Sequence, residues 1–310
     1  MESIDMSFTA EVRSGKTDVP ARSPRPNDAA KGAHSAIATV TTRIEPPQGI
    51  QFPDLAAVWR YRDLLTMLVW RDISARYRQS VVGYGWAFIK PLVSVIIFAL
   101  VFGRLAHLPS DGVPYPLFAM AALLPWSYFS SALSGVSSSV TGSGHLLTKV
   151  YFPRLILPLA SLGSGLADLG LQFLLLIGLM AWFGFAPGWQ ILLLPCFVLL
   201  TIASSLAFGL WLTVLNVRYR DVGHAVPFLL QAWMWLSPVV YSSQLVPAKY
   251  RWAYGLNPLV GIIDGFRWCA LGTLPPDAFT LALSVLIVAA TLLGGLVFFR
   301  QQEATFADVI

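Results

Sequence analysis

Residues 59–91 read WRYRDLLTMLVWRDISARYRQSVVGYGWAFIKP, and the change of character within them decides the fold. Arg60, Arg62, Arg71, Arg76, Arg78 and Lys90 oppose only Asp63 and Asp72, a local charge of +4. Trp70, Ile73, Tyr77 and Val81 step at helical spacing, while Arg71, Ser74 and Arg78 share another face. Leu64, Leu65 and Leu68 fall outside that stripe. A basic, aromatic, partly amphipathic helix of this kind suits the surface of an anionic leaflet. From Pro91 to Gly103 the chain is almost wholly apolar. The stretch therefore marks where a cytosolic polypeptide enters a bilayer.

The rest of the composition agrees. Only 12% of the 310 residues are charged and 56% are hydrophobic, against roughly a quarter charged in ordinary soluble domains. The net charge of +5 sits at the ends of apolar runs, which is membrane topology and not a nucleic-acid stripe. Cys196 and Cys269 have no CxxC spacing, and His34, His107, His145 and His224 are scattered, so no metal site or disulfide framework is expected. Neither a Ser/His/Asp arrangement nor a carboxylate pair in one helix register argues for an enzyme. The N-terminus has no apolar core of a secretory signal.

Residues 1–50 are rich in Ser, Thr, Pro and charge and read as a disordered cytosolic tail. Ser14-Gly15-Lys16-Thr17 imitates the end of a phosphate-binding loop, but Ala10 stands where its first glycine belongs. Apolar runs long enough to span lie at 86–103, 115–136, 155–185, 189–215, 224–242 and 279–299. Residues 258–272 are apolar but too short, and they carry Asp264 and Arg267, as a re-entrant or interfacial helix would. Lys149, Arg154, Arg218, Arg220 and Arg300 fall on the side of the basic 59–90 segment. The positive-inside bias places both termini in the cytoplasm and requires an even number of spans. The chain thus predicts an all-α polytopic membrane protein with six transmembrane helices, an N-terminal interface helix and short re-entrant helices before the last span.

SVVGYGWAFIKPL (80–92), GVPYPLFAMAALLPWSYFSSAL (112–133), LLTKVYFPRLILPL (146–159), LNVRYRDVGHAVPFLLQAWMWLSPVVY (215–241) and NPLVGIIDGFRW (257–268) carry a resemblance. They resemble the permease subunit of ABC-2 polysaccharide exporters, which move O-antigen, related lipid-linked glycans and teichoic acids. The resemblance covers about residues 55–300, and the long tail departs from it. It implies that residues 51–310 form an ABC-2 transmembrane domain in a bacterial inner membrane. It further implies a homodimer with two copies of a separate ATPase subunit, which would bind ATP and Mg, this chain needing no cofactor. A glycan on undecaprenyl diphosphate would pass between the two permeases.

By the same resemblance, Leu147, Thr148, Lys149, Val150 and Tyr151 lie at the tip of a coupling helix that docks on the ATPase. Their apolar cluster would be odd on a free loop. The resemblance also makes Phe88, Trp233 and Tyr241 candidate channel aromatics, with packing against helices or lipid as the alternative. Arg71, Arg76 and Arg78 could meet phospholipid, the partner or the substrate's diphosphate. Asp264 and Arg267 would belong to the external re-entrant segment, where a structural pair is the simpler reading. Trp126, Tyr128, Trp182, Trp189 and Trp252 fall near expected membrane interfaces and read as belt residues. Asp168, deep in the third run, is either functional or bonded locally to Ser164 or backbone. A proton-coupled carrier using Asp168 is the rival from another class.

Overall fold

The computed structural model describes residues 55–77, 85–147, 152–219, 221–303 and 306. The Ser14–Thr17 motif, Arg78 and Thr148–Tyr151 lie outside these residues. Two helices, α1 (Leu55–Arg60) and α2 (Arg62–Tyr77), precede α3 (Gly85–Phe98), which continues as a π-helical stretch, Ala99–Leu105. Next come α4 (Tyr115–Ser138), the single turn α5 (Gly144–Leu147), α6 (Ile156–Trp182) and α7 (Leu194–Arg218). The chain continues through α8 (Asp221–Leu236), the single turn α9 (Arg251–Tyr254), α10 (Pro258–Leu271) and α11 (Ala278–Gln302). No strand occurs among the described residues.

Among the described residues, five helical segments are long and apolar enough to cross a membrane: Gly85–Leu105, Tyr115–Ser138, Ile156–Trp182, Trp189–Arg218 and Ala278–Gln302. The expected span at 224–242 is the difference. Its helix, α8, has 16 residues, about 24 Å at the α-helical rise against a core of about 30 Å. It stops at Leu236 because Pro238 disfavours helical backbone in the residue before it and has no N–H to donate. α6, with 27 residues, is about 40 Å long and must tilt or project beyond the core. α10 is too short to span, as expected, yet nearly all of it is buried in protein.

The bundle is built around α4, 17 of whose 24 residues are buried. Its AMAALL run (119–124) carries small side chains that admit α6, α7 and α10 on different sides. Where α7 crosses, Gly209 makes the room. A Cβ there would lie 2.5 Å from Val136 Cγ1 and 2.8 Å from its Cβ. α4 therefore has no belt residues of its own. Trp126 and Tyr128, expected at an interface, are core side chains, with Trp126 against Phe129 and the Tyr128 hydroxyl donating to the Leu162 carbonyl at 3.2 Å. Trp182, Trp189 and Trp252 are exposed.

On α2 the leucines that fall outside the Trp70 stripe are the ones that face the protein. Leu68 is buried, and Leu64, Leu65 and Val69 pack beside it against the cluster containing Phe152, Leu155 and Ile156. Trp70, from the expected stripe, faces outward with Trp59 and Met67. The leucines win because α6 offers them a close seat at Gly163, where a Cβ would come within 2.7 Å of Val69 Cγ2. An outward row of Trp and Met is the face that can rest among lipid headgroups.

We expect Gly209→Ala to cost about 1–3 kcal/mol through overpacking. Combined with Val136→Ala, it should cost less than the two single changes together, a coupling that thermal unfolding in detergent would measure.

Candidate functional site

The end of the bundle beyond Leu236 is organised by what α8 leaves behind when it stops. Ser237 Oγ donates back to the Trp233 carbonyl at 2.9 Å, and Asn257 Nδ2 donates to the Leu236 carbonyl at 3.2 Å. Arg267, on α10, takes the next carbonyls. Its Nη2 donates to Val239 at 3.0 Å, its Nη1 to Tyr241 at 3.2 Å and its Nε to Phe118 at 3.4 Å. The guanidinium lies 3.6 Å from the centroid of the Phe118 ring and is 2% exposed. Asp264, one turn away, stands 3.9 Å from it.

This pair is expensive to keep ionised. Burial pulls the Arg267 guanidinium down to about 10, although Asp264 opposes the shift. Burial likewise pushes the Asp264 carboxyl up, against the attraction of Arg267. A cavity of about 390 Å³ opens beside them, lined in part by Asp111, Arg251, Tyr254 and Asp277. Arg267 is thus a bolt through the re-entrant segment, joining α10 to α4 and to the chain leaving α8.

At the other end, Arg76 reaches from α2 to α6. Its Nη1 pairs with the Asp168 carboxylate, and its Nη2 lies 3.5 Å from Ser164 Oγ. A cavity of about 490 Å³ lies beside the pair, with Trp86, Lys90, Ser94 and Ser127 around it. Gln172 also lines it, and its buried Oε1 has no partner among the described residues. A second cavity of about 490 Å³ shares Arg76 and Ser131 and adds Arg71, Asp72 and the hydroxyls of Ser138, Ser161 and Ser164. Arg71 itself is bonded to Asp72 at 2.8 Å. The two cavities meet at Arg76 and Ser131, a track of mixed polar and apolar lining with cationic groups along it.

The aromatic candidates are not gathered together. Trp233 is wedged edge-on between Phe129 and Phe208, with centroids 5.1 and 5.0 Å away, and its indole N–H donates to Asn257 Oδ1 at 2.9 Å. Tyr241 lies beyond the end of α8, its hydroxyl 3.3 Å from the Trp235 carbonyl and 3.1 Å from the Tyr254 hydroxyl. Phe88 is half-buried on α3. Of the loop residues 147–151, only the backbone of Leu147, at the end of α5, is described.

Sequence reasoning passes over Asn257 and Gln172. Asn257 had a readable signal, because Asn before Pro opens a helix. It caps α10 by accepting from Leu259 N at 3.1 Å, while also binding Trp233 and Ser237 Oγ. Gln172 gave none beyond a carboxamide in an apolar run. No group of three or more His, Cys, Asp or Glu residues placed to hold a metal occurs among the described residues.

The comparisons with known proteins agree with this architecture. Residues 63–271 match the ABC-2 type transporter family, so the chain belongs to that family. It is 30% identical over 256 residues to the O-antigen export system permease protein RfbA of Myxococcus xanthus, covering 82% of this chain and 97% of that one. A Klebsiella pneumoniae O-antigen export system permease protein RfbA is 26% identical, with 80% and 95% covered. The polysialic acid transport protein KpsM of Escherichia coli is 24% identical, with 75% and 91% covered.

Replacing Arg267 with Met should lower stability by several kcal/mol, since three buried carbonyls lose their donor and Asp264 its partner. Asp264→Asn should leave stability at pH 8 unchanged or raised. A carboxyl whose pKa is raised in the fold contributes stability below its unfolded pKa and loses it as pH rises through the folded value. Melting of the wild type, but not of Asp264→Asn, should therefore fall with rising pH in this respect, as thermal scans in detergent at pH 5 and 8 would record.

Proposed function

We propose that this chain is the permease subunit of an ATP-driven exporter of lipid-linked polysaccharide, of the O-antigen type, in a bacterial inner membrane. The observation that carries the proposal is near end-to-end similarity to O-antigen export permeases, including 97% of the Myxococcus protein. In this reading α8 is the fifth of six spans, completed by the chain to Tyr241, and both termini lie in the cytoplasm. Two copies form the channel and each engages one ATPase subunit, which binds ATP and Mg. Support for the second copy comes from α8 and α3. α8 buries only Val226 and Leu230 and leaves Phe228, Leu229, Trp235 and Leu236 open. α3 buries only Pro91 and Val95.

In this mechanism, the loop centred on Leu147, Thr148, Lys149, Val150 and Tyr151 docks on the ATPase and passes its movement to α6. Arg71, Arg76 and Arg78 meet the headgroups and the diphosphate of the carrier lipid at the inner leaflet. Lys90 adds a further cation to the same track. Phe88 and Tyr241 offer aromatic faces on which pyranose rings can slide, and Trp233, packed between Phe129 and Phe208 and bonded to Asn257, lines the channel only from within the helix packing. Asp264 and Arg267 hold the re-entrant segment that closes the outer mouth. Similarity to a polysialic acid transport protein favours capsular polysaccharide as the second reading of the cargo, and teichoic acid is a further alternative in this exporter class. The proton-coupled reading loses its foothold, because the Asp168 carboxylate is engaged by Arg76.

The direct test is co-purification with an ATPase subunit whose ATP turnover depends on this chain. Transport by this chain alone under a proton gradient would refute the assignment. Lys149→Glu should weaken assembly or uncouple hydrolysis from export, and wild-type export with normal ATPase stimulation would remove the loop from the interface. A separate test exchanges the charges at Arg76 and Asp168. Either single reversal should lower export roughly tenfold or more, the effect of losing a hydrogen bond to a charged group. The double reversal should restore thermal stability but not export. Full recovery of export would reduce Arg76 to a structural partner.

A further inference from the structure

α6 begins without a cap of its own: its N-cap residue, Leu155, makes no side-chain hydrogen bond to the first turn. The backbone N–H groups at a helix start need acceptors, and a carboxylate there also meets the positive end of the helix dipole. Within the first turn, Ile156 and Leu157 N–H donate to the Pro153 and Arg154 carbonyls at 3.0 and 3.1 Å, and the N–H just ahead of the N-cap is met from the end of α11. Glu303 Oε1 accepts the backbone N–H of Arg154 at 3.0 Å, across 149 positions of sequence. Its other oxygen accepts from Arg300 Nη1 one turn back on α11. The Arg154 guanidinium then lies 5.9 Å from the centroid of the Phe306 ring. Phe306 is buried edge-on against Phe299 at 5.3 Å.

We infer that the end of α11, with Glu303 as the positioning residue and Phe306 beside it, is a brace for residues 152–154, fixing where the chain from the proposed docking loop enters α6. The role rests on the docking function proposed for the loop. A push on the loop moves the start of α6 and the end of α11 as one body, because Glu303 ties them and Phe306 fills the joint. Without the tie, the exit of the loop can swing before α6 responds, and ATP hydrolysis runs ahead of transport. Glu303 touches neither nucleotide nor glycan in this scheme.

The test uses the full chain in nanodiscs, with and without its ATPase subunit, carrying Glu303→Ala or Glu303→Gln. In the permease alone, hydrogen–deuterium exchange should show amides of the 152–158 segment exchanging about tenfold faster in Glu303→Ala, the loss of one backbone hydrogen bond to a charged acceptor. Glu303→Gln, which keeps an acceptor for the Arg154 N–H, should recover most of that protection. With the ATPase bound, Glu303→Ala should co-purify at wild-type stoichiometry yet hydrolyse several-fold more ATP per glycan exported, with recovery in Glu303→Gln. Unchanged exchange in Glu303→Ala overturns the brace whatever the ATPase does. Faster exchange with unchanged coupling overturns its positioning role, provided Lys149→Glu uncouples in the same preparation. If Lys149→Glu has no effect either, the docking role of the loop falls and the positioning role of Glu303 falls with it.

Discussion

The close approach of helices around α4 is the constraint on which the rest of this structure depends. In a bilayer, helix association gains nothing from hiding apolar surface from water and must rely on packing and hydrogen bonds. α4 meets that requirement with Ala119, Ala121 and Ala122 on its own surface and Gly209 and Gly165 on its neighbours. Thr213 and Asn216 of α7 add hydrogen bonds to the α4 carbonyls of Val136 and Ser137 at 2.7 and 2.9 Å. α3 and α8 are thinly packed by comparison, each burying only two residues. Two parts of the molecule follow from this difference: a stiff centre and an outer wall free to meet lipid or a second copy.

Backbone accounting explains the end of the bundle beyond Leu236. A helix that stops inside a membrane protein exposes carbonyls that lipid cannot satisfy. The chain after Leu236 survives there because Asn257, Ser237 and Arg267 supply the donors. The buried charge of Arg267 therefore has a structural reason independent of any substrate. Its proximity to Asp264 is secondary to the three carbonyls, as the 3.9 Å separation indicates.

Much of this was legible in the sequence. Apolar run length located five spans to within a few residues, and the short 258–272 segment announced itself by length and charge. The limits have physical causes. Helical periodicity on α2 identified the Trp70 stripe but could not show that α6 would seat Leu68 on another side. Belt placement of Trp126 and Tyr128 assumed that α4 touched lipid, which is a property of the assembled bundle and not of the segment. The run at 224–242 looked continuous because hydropathy does not register that Pro238 ends the helix. Pairings such as Arg76 with Asp168, or Glu303 with the start of α6, join distant positions and leave no local trace.

The Arg76–Asp168 pair also constrains how the protein can be made. Arg76 leaves the ribosome 92 residues before its carboxylate. During that interval α2 has no counter-charge on α6. A lone ionised carboxylate in an apolar helix is costly, and Arg76 is already made when Asp168 emerges. The order of synthesis thus lets the cation precede the carboxylate it will pair with.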